Sequence, residues 1–163
     1  MNDMTLQQTD DAAPVNALMT LPYPEFTRGN QIPWKPWVMD GIEYKLLATD
    51  HKTNGFTCLL KVAPGTVAPV HQHIGAIEVY IIDGEIYYED SDKGAAGDYI
   101  YEPAGDIHRP YSPEGCLLFA VFHGPIAGLD DDGNMAGIVD AKAMEAMATE
   151  HGTISMMANT HPH

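Results

Sequence analysis

Basic residues are scarce in this chain: eight Lys and Arg stand against 23 Asp and Glu, a formal charge of −15. A surface of that sign repels phosphate backbones and anionic lipid, so neither nucleic acid nor a membrane is expected as a partner. Cysteine is scarcer still. The two present, Cys58 and Cys116, cannot frame a disulfide scaffold, and each lies in an apolar run (GFTCLLKV, GCLLFAVF) where a small buried hydrophobe fits. No Lys- or Arg-led apolar segment opens the chain, and no run approaches the roughly 18 apolar residues that suggest a membrane helix. A soluble, cytoplasmic protein is the expectation. The G-x-G-x-x-G and G-x-x-x-x-G-K patterns that cradle nucleotide phosphates are absent, as is any internal repeat.

What is present is enough for one core. At 163 residues with 45% hydrophobic content, the chain suits a single domain that buries roughly two-thirds of its unfolded surface. Residues 1–20 have no sustained period and read as a flexible arm; the domain is expected over 21–163. Prolines at 22, 24, 33 and 36 forbid helix in the next stretch, where Trp34 and Trp37 either pack or line a pocket mouth. From Gly41 onward, short runs of alternating or continuous apolar residues (IEYKLLAT, FTCLLKV, AIEVYII, YIYE, CLLFAVF) are separated by Gly- and Pro-rich turns. This predicts an all-β class, a barrel or sandwich of antiparallel strands. Asp83–Gly84 reads as a tight hairpin and SDKG as a further turn. IAGL, DDDGN and MAGIV read as an outer hairpin whose acidic tip lacks the ligand spacing of an EF-hand. A C-terminal helix is expected at about 140–151, capped by Asp140 and stopped by Gly152, with a stripe of Ala143, Met144, Met147 and Ala148 for docking.

The chemistry concentrates between Gly65 and Ser112. His71 and His73 are two apart, so on a strand both imidazoles take the same side. Glu78 follows in a strand-like run, and His108 comes after a Pro-x-Gly turn that could fold it back beside the pair. Imidazoles with or without a carboxylate form an N/O set that holds Fe, Mn, Zn, Ni or Cu. Glu78 stands open between two roles, a fourth ligand or a nearby carboxylate that accepts a ring N–H or a substrate proton. His123 is a candidate base, against a reading as a satisfied core or rim histidine. Arg109 reads as a rim residue, Tyr87 and Tyr101 as phenolic donors or strand packing, and His161 and His163 as tail residues despite their spacing.

These residues resemble the cupin motifs. The first is carried by Gly65, His71, His73 and Glu78, with Gly84 one residue early; the second by Gly97, Pro103, Gly105 and His108, with Ser112 where Asn is usual. The resemblance implies a single-domain double-stranded β-helix, or jelly-roll barrel, holding a divalent metal through His71, His73 and His108, with Glu78 as an optional fourth ligand, and it implies a homodimer. Within the cupins, HQHIGAIEVYIIDG, FHGPIAGLDDDGN and the helix that follows are similar to the small acetylacetone-cleaving and dihydroxyacetophenone dioxygenases. That likeness implies Fe(II), with Zn, Ni or Mn as alternatives, and O₂-dependent C–C cleavage of a small carbonyl or aromatic substrate; Glu78 and His123, read from their own positions, are the catalytic candidates. A metal-dependent isomerase or lyase and a non-catalytic binding cupin are the other classes the fold accommodates.

Overall fold

Alternation of apolar and polar residues makes the strands, and the Gly and Pro between them set where each one ends. The computed structural model describes residues 26–89 and 92–158. The arm expected over residues 1–20 lies outside the described residues, as do His161 and His163. The elements in chain order are β1 (Lys35–Pro36), β2 (Ile42–Asp50), β3 (Gly55–Val62), β4 (Thr66–Val67), β5 (His71–His73), β6 (Ile77–Glu89) and β7 (Asp92–Ala95), then β8 (Tyr99–Glu102), β9 (Ile107–His108), β10 (Tyr111–Ser112), β11 (Cys116–Phe122), β12 (Ile126–Leu129), β13 (Met135–Val139) and the helix α1 (Ala141–Glu150). The larger sheet runs β1-β2-β3-β11-β6-β10-β4, with β7 and β8 also on β6; the smaller runs β13-β12-β5-β9. The class is therefore all-β with a C-terminal helix, as the sequence pattern predicts, and β12 and β13 form the outer hairpin.

Alternate residues of the four long strands point to one interior. Tyr44 and Leu46 of β2, Phe56 and Cys58 of β3, Ile81 of β6 and Ala120 of β11 are all buried there. Large side chains each contribute about 1.5–3 kcal/mol on leaving water, so the curl of the sheet closes over them. Helix α1 adds Met144 and Ala148 to this core. Trp37 joins it too, donating from Nε1 to Met144 Sδ at 3.2 Å and meeting Phe122 edge-on at 6.2 Å. Trp34 is different: the ammonium groups of Lys45 and Lys61 lie 4.7 and 5.8 Å from its ring.

One turn expectation fails. Asp83–Gly84 does not reverse the chain but lies inside β6, where Leu117 pairs with Asp83 and Leu118 with Ile81, leaving Ile82 as the extra residue of a bulge. Gly84 has φ 77°, and a Cβ there would meet the carbonyl oxygen of Gly115 at 2.2 Å. The glycine thus serves close approach of the neighbouring chain rather than a hairpin. Near SDKG the chain does reverse: β7, which takes Asp92, Lys93 and Gly94 of that run, pairs antiparallel with the far half of β6. The bulge has a further effect: Val79 and Ile81 face inward before it, whereas Ile86 does so after it. Inward positions thus switch from odd to even numbers along one strand.

Candidate metal centre

Strand β5 is only three residues long, and its period of two buries His71 and His73 while Gln72 stays partly exposed. Antiparallel pairing sets His108 of β9 directly opposite His71, so all three imidazoles share one face of the smaller sheet. The turn before His108 is fastened to the same strand. Gly105, at φ 91°, donates its N–H to the His73 carbonyl at 2.7 Å, and His73 donates its own N–H to the Asp106 carbonyl at 2.9 Å.

The nitrogens then converge. Among the described residues, His71, His73 and His108 offer ligand atoms that all lie within 4.8 Å of one another. Nε2 of His71 and Nε2 of His108 are 3.2 Å apart; two nitrogens bound to one ion at about 2.1 Å sit at roughly that separation. The other ring nitrogens of this pair are held by oxygens: His71 Nδ1 by the Pro69 carbonyl at 2.9 Å, His108 Nδ1 by Asp106 Oδ2 at 3.1 Å. His73 is the exception, fully buried with neither ring nitrogen partnered. An unsatisfied buried polar group costs about 1–3 kcal/mol, and a cation shared by the three rings would partner one of the two nitrogens. The donor set and this orphaned ring fit a divalent metal.

Burial also fixes the protonation state. Desolvation first, then the neighbouring imidazoles, lower His73 from 6.5 to about 3. The same two causes lower His108 to about 4, and His71 shifts downward mainly through burial. All three rings are therefore neutral at pH 7, the form in which a ring nitrogen is a metal ligand.

Glu78 is not brought to this cluster. The inward positions of this half of β6 are Val79 and Ile81, so Glu78 falls on the outer face. There it accepts from Tyr99 Oη at 2.8 Å and bonds His123 Nε2 at 2.6 Å. His123 itself has about half its side chain exposed, so both catalytic candidates stand together outside the barrel. The carboxyl beside the histidines is Glu102, at the end of β8 and 8% exposed. Its Oε2 is 3.8 Å from His73 Nδ1 and its Oε1 is 3.8 Å from His108 Nε2. Desolvation raises Glu102 to about 7, although a hydrogen bond from the Tyr88 hydroxyl opposes the shift. The signal for it was in YIYEP: Tyr99 and Tyr101 are exposed, and the alternation that puts them outside puts Glu102 inside. Glu102, His71 and His108 open on a cavity of about 80 Å³ whose other walls are mainly apolar, among them Ile42, Leu60 and Leu118. Arg109 and Tyr101 line an open groove that also reaches Tyr88, Glu102 and His108, and Tyr87 donates to Glu85 and stacks on Tyr111.

The match to the ChrR cupin-like domain model spans residues 24–127, more than half of the chain. The chain belongs to that family. This cupin is 26% identical over 138 residues to an acetylacetone-cleaving enzyme of Acinetobacter johnsonii, covering 79% of this chain and 90% of that protein. In fold it is similar to an RmlC-like cupin from Ralstonia eutropha JMP134, with TM-score 0.76 and 24% identity over 86% of this chain and 94% of the other. It is also similar to an acetylacetone dioxygenase from Acinetobacter johnsonii, with TM-score 0.69 and 19% identity over 90% and 99% of the two chains. Among the described residues no helix is long and apolar enough to cross a membrane.

Proposed function

We propose that this cupin is an Fe(II)-dependent dioxygenase that cleaves a C–C bond of a small diketone or hydroxyketone. The observation that carries the reading is the cluster itself: three neutral imidazoles converge beside an apolar cavity, and one of them has no other partner. The similarity to an acetylacetone-cleaving enzyme points the same way. His71, His73 and His108 hold the ion, which supplies Lewis acidity and, as iron(II), redox chemistry with O₂. Because these ligands bring no negative charge, the site favours a substrate that does, and the enolate of a 1,3-dicarbonyl is small, anionic and bidentate.

The chain's own groups serve that substrate. Ile42, Leu60 and Leu118 exclude water and favour a compact apolar skeleton. Glu102 lines the same cavity and, in its ionised form, would take a proton from the bound ketone, the part that Glu78 was expected to play. Tyr88 donates to Glu102.

The test is an oxygen-consumption trace of anaerobically Fe(II)-loaded protein mixed with a panel of β-diketones and hydroxyacetophenones. Uptake of O₂ with release of carboxylic acid is expected, and its loss in His73→Gln. A panel that binds without any O₂ uptake overturns the dioxygenase reading, and turnover under nitrogen replaces it with an isomerase or lyase.

A further inference from the structure

Tyr88 is outside the converging set, yet it touches the cluster at two places. Its hydroxyl donates to Glu102 Oε1, and its ring lies 4.9 Å from that of His108, tilted by 36°. Beyond Glu102 stands His73, whose Nδ1 faces Oε2 of the same carboxyl at 3.8 Å. Comparison of the three rings gives this chain of contacts a meaning. His71 and His108 each have Nδ1 held by an oxygen, a carbonyl in one case and a carboxylate in the other. His73 has no such bond at full hydrogen-bond distance; the oxygens beside its ring are both of Glu102, the main-chain carbonyl and, 3.8 Å from Nδ1, the carboxyl Oε2.

We propose that Tyr88 is a positioning residue: by fastening Oε1 of Glu102 it holds Oε2 beside Nδ1 of His73, 3.8 Å away, so that closure of this gap to a hydrogen bond on metal binding turns Nε2 of that ring toward the metal. The inference rests on the three-histidine reading of the site. Metal-ligating imidazoles are oriented by an oxygen on their second nitrogen, and loss of that oxygen costs about 10–100-fold in affinity. Here the oxygen sits on a side chain with several rotatable bonds, so it orients His73 only if its own rotamer is held. Tyr88, the extra residue where β6 shifts register against β7, supplies the hold.

Co(II), with its visible ligand-field bands, is the probe. The metal-free full-length chain is titrated as wild type, Tyr88→Phe, Glu102→Gln and the double variant, with melting temperatures to confirm folding. Tyr88→Phe keeps the ring on His108 and removes only the hydroxyl. Both single variants are expected to weaken Co(II) binding about tenfold or more, and the double variant to be no weaker than Glu102→Gln alone, because Tyr88 acts through Glu102. A Tyr88→Phe protein with wild-type affinity and spectrum overturns the proposal, as do additive losses. Histidine-ring ¹⁵N correlations of the Zn(II)-loaded wild type give a check that needs no variant: His73 is expected to carry its proton on Nδ1, and a proton on Nε2 overturns the proposal. Wild-type protein that binds no Co(II), or binds it equally as His71→Ala, removes the three-histidine reading and this inference with it, whereas wild-type affinity in Tyr88→Phe removes the inference alone.

Discussion

A histidine with no exposed surface and no partner, such as His73, is kept neutral by its surroundings. In the folded state His73 titrates at about 3 and His108 at about 4, against 6.5 for the free side chain. Between pH 6.5 and 4 the unfolded chain therefore binds more protons than the folded one, and folding is opposed as pH falls through that window. Glu102 has the reverse sign: raised from 4.5 to about 7, it keeps its proton in the folded state and contributes stability that is lost as pH rises through 7. Two imidazoles outweigh one carboxyl on the acid side, at up to about 1.4 kcal/mol per pH unit for each histidine. Melting of the metal-free protein from pH 8 to 4 is expected to show a decline below 6.5 that is shallower in His73→Gln. A flat profile contradicts the neutral cluster. Glu78→Gln and His123→Asn, which act on the outer face, are expected to leave Co(II) affinity at the wild-type value.

Strand β6 shows how one residue can redirect an element. Its two halves present opposite parities to the interior because of the bulge at Ile82. Gly84→Ala meets both a positive φ and the Gly115 carbonyl at 2.2 Å, so a loss on the order of 2–4 kcal/mol is expected. In urea this appears as a lower midpoint with an unchanged slope; a neutral result refutes the close approach. At α1 the expected effect is smaller. Asp140 accepts from Ala143 N–H at 2.9 Å, and Asp140→Ala is expected to cost about 1 kcal/mol, the value of one capping bond. The helix stop follows from Gly152, whose φ of 71° allows Thr153 N–H to reach the Ala148 carbonyl at 2.7 Å.

For the whole molecule, a ligand that binds only the folded state stabilises it by mass action. Divalent metal at a hundredfold excess over Kd is expected to add about 2.7 kcal/mol to unfolding, reversed by a chelator, and no shift in melting temperature means that the cluster holds no ion. Local order was legible in the sequence because it depends on neighbours along the chain. Alternation in IEYKLLAT and CLLFAVF marked strands, Asp140 and Gly152 marked the helix ends, and the histidine spacing with the Pro-x-Gly turn marked three candidate donors. What the sequence could not give was which residues meet across strands. The Asp-Gly pair reads alike as hairpin or bulge until β11 is seen to pair on both sides of it. Glu78 and Glu102 are equally strand-borne carboxylates, and only the register of β6 and β8 sends the first outside and the second to the histidines. Residue order alone determined the strands and the candidate ligands; the closing of the sheet decided which carboxyl and which tyrosine stand beside them, because those contacts join residues far apart in the chain.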